Sequence, residues 1–265
     1  MVEFRDSLYT MNIEQGNKLN QLLQYWQSGG LFFSTWLNKN GYSDQLMQQY
    51  RKSGWFSSLS KGVFYRTGDK LSAYAALSGL KAQLNKNFYV GAHSALELFG
   101  FNHYVPMGKP VLIIGHSKKD KIPKWMTKTD FGYEMRFFLT ETFSNPQLTA
   151  FNKDNYEILT SVPEQAFLEC LLLAPNQYDY MDLFYIMEQL TTLRPDVVQH
   201  LLENTDNIKI KRLFLYMAQK AGHAWFDSLD RSKINLGTGK QKLVENGVYL
   251  SEYKITIPKE LFEHE

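Results

Sequence analysis

Residues 36–69 read WLNKNGYSDQLMQQYRKSGWFSSLSKGVFYRTGD, and this stretch decides the fold of the first part of the chain. Gly41 separates two short segments in which apolar residues recur at helical spacing. Ser43 suits the N-cap of the second segment, and Asp44 suits the positive end of its dipole. The spacing therefore predicts a helix from Asp44 to about Ser53 that stops at Gly54.

The segments on either side of this helix complete a recognisable order. Helical spacing also predicts helices over residues 18–28 and 31–40, the latter reading LFFSTWLNKN. After the Asp44 helix, two β-prone runs lie within residues 55–66 and are joined by a turn-rich connector, which predicts a β-hairpin. Residues 71–85 return to helical spacing. Three short helices, a hairpin and a further helix indicate a winged helix-turn-helix.

The remainder of the chain predicts a mixed sheet followed by helices. Short strand patterns occur at residues 88–90, 104–105, 111–114, 134–139 and 156–159. Residues 94–99 favour a short helix, and longer helical patterns cover residues 163–173, 178–190, 195–204 and 207–221. A strand pattern at 247–257 is expected to pair back into the middle sheet. We expect an α+β protein with a winged helix-turn-helix domain over residues 14–86. A larger mixed α/β domain with a helix-rich C-terminal part is expected over residues 87–265.

Composition excludes several classes of protein. The 265 residues include 18 Phe, 16 Tyr and 5 Trp, enough to bury a sizeable core, so a largely disordered chain is excluded. The single cysteine, Cys170, excludes an internal disulfide framework and fits a reducing cytoplasm. No signal peptide is visible, and the best apolar run, residues 166–174, is too short to span a bilayer. We expect a cytoplasmic protein without a membrane segment.

Charge is distributed unevenly along the sequence, although the net charge is only +2. Residues 1–86 carry +5, residues 87–128 carry +4, and residues 129–265 carry −7. A local cationic field attracts polyanions even when the whole molecule is nearly neutral. The basic first part and the acidic last part therefore favour different partners.

The helix that begins at Asp44 is the main candidate for binding. A helical wheel places Leu46 and Tyr50 inward and leaves glutamines and basic residues on the outer and flanking faces. Glutamine pairs with an adenine edge, and Lys or Arg pairs with guanine or phosphate. The candidate DNA-binding residues are Ser43, Gln45, Gln48, Gln49, Arg51 and Lys52 on the helix, and Lys61 and Arg66 on the hairpin.

Two other interpretations stay open. The same polar helix would suit a winged helix that docks on protein, with the acidic last part facing a basic partner. A nuclease using scattered carboxylates is the third possibility and has no motif in its favour. The loop within residues 109–128 has a dense group of lysines that would either be solvated or extend a polyanion footprint. The group consists of Lys118, Lys119, Lys121, Lys124 and Lys128.

No motif in the sequence predicts catalysis, a metal or a cofactor. The six histidines form neither HExxH nor a Cys/His cluster. The run LGTGKQK at residues 236–242 lacks the spacing of a phosphate loop, and Gln241 stands where that loop needs Ser or Thr. We therefore expect a protein that is not an enzyme.

The stretch at 36–69 resembles the N-terminal winged helix of the AbiEi family of antitoxins. The segments LSAYAALSGLKAQL, NFYVGAHSALELFGFNHY (residues 87–104), VPEQAFLECL (residues 162–171) and INLGTGKQKLVENGVYLSEYKITIP (residues 234–258) extend the resemblance over residues 18–258. The resemblance implies a winged helix that binds operator DNA and a larger domain that counters a nucleotidyltransferase toxin. It also implies that such a protein represses its own two-gene operon, with Gln45, Gln48 and Lys52 facing the DNA.

Overall fold

A computed structural model describes residues 18–25, 28–101 and 108–264. Internal contacts divide these residues into two compact units. The first unit contains the described residues up to Asn87, together with Ile122–Gly132 and Asn152–Ile158. The second unit contains Phe88–Lys121, Tyr133–Phe151 and the described residues from Leu159 onward.

The first unit has the topology of a winged helix-turn-helix. Helix α1 is described over residues 18–25. It is followed by β1 (Leu31–Phe33), α2 (Ser34–Lys39), α3 (Asp44–Lys52), β2 (Phe56–Ser60), β3 (Val63–Arg66) and α4 (Ala73–Leu84). The three strands form an antiparallel sheet in the order β1-β3-β2, so that β2 and β3 make the wing.

A single apolar cluster holds α2, α3 and the sheet together. Its members are buried side chains from α1 to α3, the three strands and the turn between α2 and α3: Leu22, Phe32, Leu37, Tyr42, Leu46, Met47, Tyr50, Phe56 and Phe64. The rings of Phe32 and Phe56 meet edge to face with centroids 5.5 Å apart. Burial of each large apolar side chain stabilises the fold by about 1.5–3 kcal/mol, so the position of α3 is fixed by its inner face.

The prediction of one helix over residues 31–40 is wrong at its start. Leu31–Phe33 is a strand that pairs with β3, and the helix begins only at Ser34. All three strand residues are buried, because Phe32 faces the α2–α3 cluster and Phe33 contacts Trp125 at a centroid distance of 6.1 Å. A strand that is buried on both faces is a continuous apolar run, without the alternation of apolar and polar residues that identifies a strand. Pairing with β3 therefore overrides the local helical pattern.

A five-stranded sheet lies mostly in the second unit, with residues 152–158, at the end of its last hairpin, in the first unit. Strands β4 (Tyr89–Val90), β5 (Val111–His116), β6 (Glu134–Leu139), β7 (Leu148–Lys153) and β8 (Tyr156–Ser161) lie in the order β6-β5-β4-β8-β7. Helix α5 (Ala92–Leu98) follows β4. Helices α7 (Pro163–Leu173), α8 (Tyr180–Gln189), α9 (Pro195–Glu203) and α10 (Ile208–Ala221) form the helix-rich part. The α+β class is therefore confirmed.

The prediction that the C-terminal strand pattern pairs into the middle sheet is wrong. Strands β9 (Gln241–Lys242), β10 (Val248–Leu250) and β11 (Ile255–Ile257) form a separate sheet in the order β10-β11-β9, followed by helix α11 (Lys259–Glu263). The sequence analysis missed β7 and the short helix α6 (Lys124–Lys128). The strand predicted at residues 104–105 lies outside the described residues.

A buried carboxylate, Glu169 of α7, organises the centre of the second unit. It accepts hydrogen bonds from the Tyr89 hydroxyl (2.7 Å), the Ala92 backbone N–H (2.8 Å), the Ser161 hydroxyl (2.8 Å) and the Gln165 amide (2.7 Å). Burial raises the pKa of Glu169, while these four donors act in the opposite direction. The carboxylate that interrupts the apolar run is therefore a structural centre that joins α7 to β4, α5 and β8.

The close approach of Glu169 explains the glycine at position 91. A Cβ at this position would lie 2.8 Å from Glu169 Oε2 and 2.9 Å from Phe138 Cζ. Ala92, the next residue, has a φ of +49° and presents its N–H to the same carboxylate. The start of the segment VGAHSALELFG is therefore constrained by packing against Glu169 in the second unit.

Candidate nucleic-acid interface

Helix α3 starts and ends where its sequence signals predict. The Ser43 hydroxyl accepts a hydrogen bond from the Leu46 N–H at 3.2 Å, which satisfies one unpaired donor of the first turn. Asp44 lies at the positive end of the helix dipole, and Arg51 and Lys52 lie at the negative end. Ser43, a predicted DNA-binding residue, is exposed, and its hydroxyl serves as the N-cap.

The two faces of α3 differ sharply in polarity. Leu46, Met47 and Tyr50 are buried in the core of the motif, as the helical spacing predicts. Burial raises the pKa of Tyr50, with a further contribution from Tyr42, so its phenol stays neutral. The predicted site residues of the helix are all exposed: Gln45, Gln48, Gln49, Arg51 and Lys52.

The wing is a short hairpin whose tip is the turn at Lys61–Gly62. Gly62 has a φ of +76°, a conformation that glycine adopts without strain. Its carbonyl accepts a hydrogen bond from the Ser34 backbone N–H at 2.9 Å. Lys61 is exposed at this tip, whereas Arg66 pairs with Phe56 at the opposite end of the hairpin and is also exposed. The two wing cations therefore lie at different ends of the wing.

Two grooves flank α3. The larger, of about 630 Å³, lies between α3 and the wing strands and is lined by Gln48, Arg51, Lys52, Phe56, Ser57, Ser58 and Tyr65. The other, of about 320 Å³, extends towards the wing tip and is lined by Ser34, Asp44, Met47, Gln48, Arg51, Lys61, Gly62 and Phe64. Gln48 and Arg51 line both grooves and form the ridge between them.

The grooves divide the predicted site residues into two groups. Gln48 and Arg51 line both grooves, Lys52 lines the larger one and Lys61 the smaller one. The other predicted site residues are exposed but line neither groove: Ser43, Gln45, Gln49 and Arg66. Asp44 and Tyr65 also line a groove, although neither is among the predicted site residues. The sequence gives Asp44 a role at the positive end of the helix dipole. It does not show which face of the strand pattern Tyr65 lies on.

The charge of this surface is not neutralised within the described part of the chain. None of the ion pairs among the described residues uses Arg51, Lys52, Lys61 or Arg66. The Arg51 guanidinium lies 5.9 Å from the centroid of the Phe64 ring, which holds the side chain beside the wing. The cations that line the grooves are thus available to anionic groups of a ligand.

The other basic segments are arranged differently. Trp125 of α6 packs on Phe33, which points away from the cluster containing Phe32, so α6 lies on the sheet face opposite α3. Lys124 and Lys128 of α6 therefore do not extend the α3 surface. The Lys118 N–H donates to Glu141 Oε1 at 2.6 Å, outside the first unit.

The LGTGKQK run is a structural turn in the second unit. The buried Arg212 donates from Nε to the Leu236 carbonyl at 2.8 Å and from Nη1 to the Lys254 carbonyl at 2.7 Å. Lys240 lies over the Tyr249 ring, and Lys242 pairs with Glu245. These contacts engage both lysines within the turn.

The described residues form neither a metal site nor an activated cysteine nucleophile. Across residues 18–25, 28–101 and 108–264, no group of three or more His, Cys, Asp or Glu side chains could hold a metal ion. Cys170 is buried, and burial raises the pKa of its thiol, so it is not an activated nucleophile. In the same residues, no helix has the length and apolar character needed to cross a membrane.

These features define a winged helix-turn-helix protein with an exposed, groove-flanked and cationic α3. Two family models match the chain: "Transcriptional regulator, AbiEi antitoxin, Type IV TA system" over residues 109–258, and "Transcriptional regulator, AbiEi antitoxin N-terminal domain" over residues 15–107. The chain belongs to the AbiEi antitoxin family of transcriptional regulators, from type IV toxin–antitoxin systems. The resemblance inferred from the sequence is confirmed.

Comparison with other proteins adds a fold likeness. The crystal structure of the RV2827C protein from Mycobacterium tuberculosis is similar, with a TM-score of 0.57 and 14% identity. The similarity covers 85% of each chain and, at this identity, shows the fold alone. Among curated proteins, none matches the chain.

Proposed function

We propose that this protein binds duplex operator DNA through α3 and the wing, represses its own operon, and counters a nucleotidyltransferase toxin. The observation that carries the DNA-binding part is the arrangement of Gln48, Arg51, Lys52 and Lys61 around the two grooves beside α3. A winged helix inserts such a helix into the major groove, where its N-terminal part reads base edges. Residues 14–86 form the DNA-binding domain in this proposal.

Within this interface the residues divide by chemistry. Gln48, on the ridge between the grooves, is suited to an adenine edge. Its side-chain NH₂ can donate to adenine N7 while its carbonyl oxygen accepts from the N6 amino group. Arg51, Lys52 and Lys61 are suited to phosphates, as are the hydroxyls of Ser57 and Ser58. Gln45, Gln49 and Arg66 would contact the duplex at the margins of the same face.

The antitoxin role is supported by the family and by the charge of the last part of the chain. Residues 129–265 carry −7, which opposes the charge of any nucleic-acid-binding surface. Operator binding requires the protein to be in the same compartment as the DNA, so we propose that it is cytoplasmic.

The test uses the chain's own upstream DNA and its neighbouring gene. A reporter fused to the upstream region should be repressed by the intact chain and released by the double variant Arg51→Ala/Lys61→Ala. Co-expression of the neighbouring nucleotidyltransferase reading frame should arrest growth, and the chain should restore growth. A reporter that the chain leaves unchanged would contradict the DNA-binding proposal.

The competing interpretation is a protein-docking module without DNA affinity. It predicts a stable complex with a protein partner, recovered by pull-down, together with equal and weak binding to upstream and scrambled duplexes. The same reporter therefore separates the two interpretations, because a docking module would not repress it.

A further inference from the structure

Asp44 is an acidic residue on a surface that otherwise favours anions. Among the described residues that line the two grooves beside α3, it is the one carboxylate. It is exposed, it is the first residue of α3, and it lines the same groove as Gln48 and Lys61. Asn38 Nδ2 of α2 donates to Asp44 Oδ1 at 3.3 Å, which engages one of the two carboxylate oxygens.

A carboxylate in this position has a cost and a use in DNA binding. It repels phosphates, and so it lowers affinity for every duplex regardless of sequence. Base amino groups are the donors in the major groove that a carboxylate can accept from. Cytosine presents its N4 amino group as a donor, whereas adenine presents the N7 acceptor beside its N6 amino group. Guanine presents two acceptors, and thymine presents one acceptor and a methyl group, so cytosine suits a carboxylate best.

We propose that Asp44 is a specificity-determining residue that accepts a hydrogen bond from the N4 amino group of a cytosine in the operator. The inference rests on the proposed insertion of α3 into the major groove. Asn38 acts as a positioning residue that holds one carboxylate oxygen. The other oxygen faces the base. Where cytosine is absent, Asp44 meets an acceptor or a methyl group and weakens binding.

The test is a selection from randomised duplexes with the full chain, followed by binding measurements on the selected site. The wild type should enrich a position occupied by cytosine. Asp44→Ala should lose that preference, which amounts to about fivefold to a hundredfold discrimination in the wild type, and should bind scrambled duplexes more tightly. Asp44→Asn should change the preferred base from cytosine to adenine, since an asparagine amide pairs with adenine N6 and N7.

Asp196→Ala is the matched control, because Asp196 is an exposed carboxylate in the first turn of α9, in the second unit. It should leave every base preference unchanged. Thermal melting verifies that each variant is folded. If the wild type selects a sequence and Asp44→Ala and Asp44→Asn select the same one, the inference is overturned and the proposed function stands. If the wild type selects no sequence, the proposed function fails as well.

Discussion

The backbone of Ser34 is hydrogen-bonded to the tip of the wing, since its N–H donates to the Gly62 carbonyl at 2.9 Å. This bond joins the first residue of α2 to the turn that carries Lys61. A Cβ at position 62 would lie 2.7 Å from the Ser34 hydroxyl oxygen. The wing tip is therefore attached to the helical pair that presents α3. Glycine at position 62 adopts its positive φ without strain, and a Cβ there would require the Ser34 hydroxyl to move.

Gly62→Ala should consequently impair DNA binding. The change forces a Cβ into the left-handed region and against Ser34, which displaces the wing tip and with it Lys61. We expect a loss of about 1–3 kcal/mol in the free energy of unfolding and a several-fold loss of affinity for DNA. Urea denaturation and fluorescence anisotropy with a labelled duplex measure the two effects.

Gly68→Ala provides the control for backbone strain. Gly68 has a φ of +89°, but a Cβ there would meet nothing within 4 Å. It should lose stability by about 1 kcal/mol and keep its DNA affinity. Equal losses of affinity in the two variants would show that contact with Ser34 has no part in placing the wing.

Replacement of the groove cations should alter the salt dependence of binding. Lys61→Ala should weaken binding to all duplexes and lower the slope of log K against log salt concentration by about one unit. We expect the same of Arg66→Ala, although Arg66 lies outside the grooves. Lys259→Ala, which removes an exposed lysine at the start of α11, should leave the slope unchanged. A titration from 50 to 200 mM salt is informative here. An unchanged slope for Lys61→Ala would remove that lysine from the interface.

The ion pair between Glu164 and Arg194 predicts a pH dependence of stability. The Glu164 carboxylate is buried and accepts hydrogen bonds from Arg194 Nε and Nη2, each at 2.9 Å, and from the Arg194 backbone N–H. Burial alone would raise the pKa of Glu164, but the bonds from Arg194 outweigh it and lower that pKa below its usual value of 4.5. The contribution to stability is present above pH 4.5 and is lost as the pH falls through the native pKa.

Arg194→Met should remove that contribution. We expect a loss of about 1–3 kcal/mol at pH 7, because the carboxylate stays buried with only backbone donors. The difference from the wild type should shrink as the pH falls through the native pKa of Glu164 in the variant, because the unfolded chains titrate alike and protonation removes the cost of the unpaired buried carboxylate. Urea denaturation at a series of pH values measures it. A difference that stays constant from pH 7 to pH 3 would contradict the assigned role.

Glu169→Ala should be among the most destabilising substitutions in the second unit. It leaves a cavity and removes the acceptor used by Tyr89, Ser161 and Gln165, so we expect a loss of about 3–5 kcal/mol. Glu169→Gln keeps the volume and one amide oxygen and should lose less. If the two variants unfold at the same urea concentration, the volume and the oxygen that the glutamine retains contribute nothing, and the expected order of stability is contradicted.

The helices with strong periodic patterns and caps were predictable from the sequence. The bounds of α3 follow from Ser43 and Gly54, and Pro163 and Pro195 mark the first turns of α7 and α9. These signals are local: they act within a few residues along the chain. Strand β6 also has the predicted bounds, Glu134–Leu139.

Features that depend on distant partners could not be read in this way. Leu31–Phe33 resembles the start of a helix and becomes a strand only because β3 pairs with it. The C-terminal strand pattern at residues 247–257 was recognisable, but its division into β10 and β11 and the pairing of β11 with β9 were not, since pairing of so few residues has no local signature. At the candidate site, the outward face of α3 was predictable from its period. The grouping of Gln48, Arg51 and Lys61, and the separation of Arg66 from them, depends on how the wing is folded.

The claim that α3 reads DNA is tested most directly by equilibrium binding of the full chain to two labelled duplexes of equal length. One duplex carries the region upstream of the chain's own gene, and the other carries the same bases scrambled. At about 150 mM salt, the account predicts that the upstream duplex binds at least a hundredfold more tightly, and that Gln48→Ala narrows this ratio. Equal affinities for the two duplexes, with Gln48→Ala indistinguishable from the wild type on both, would contradict it.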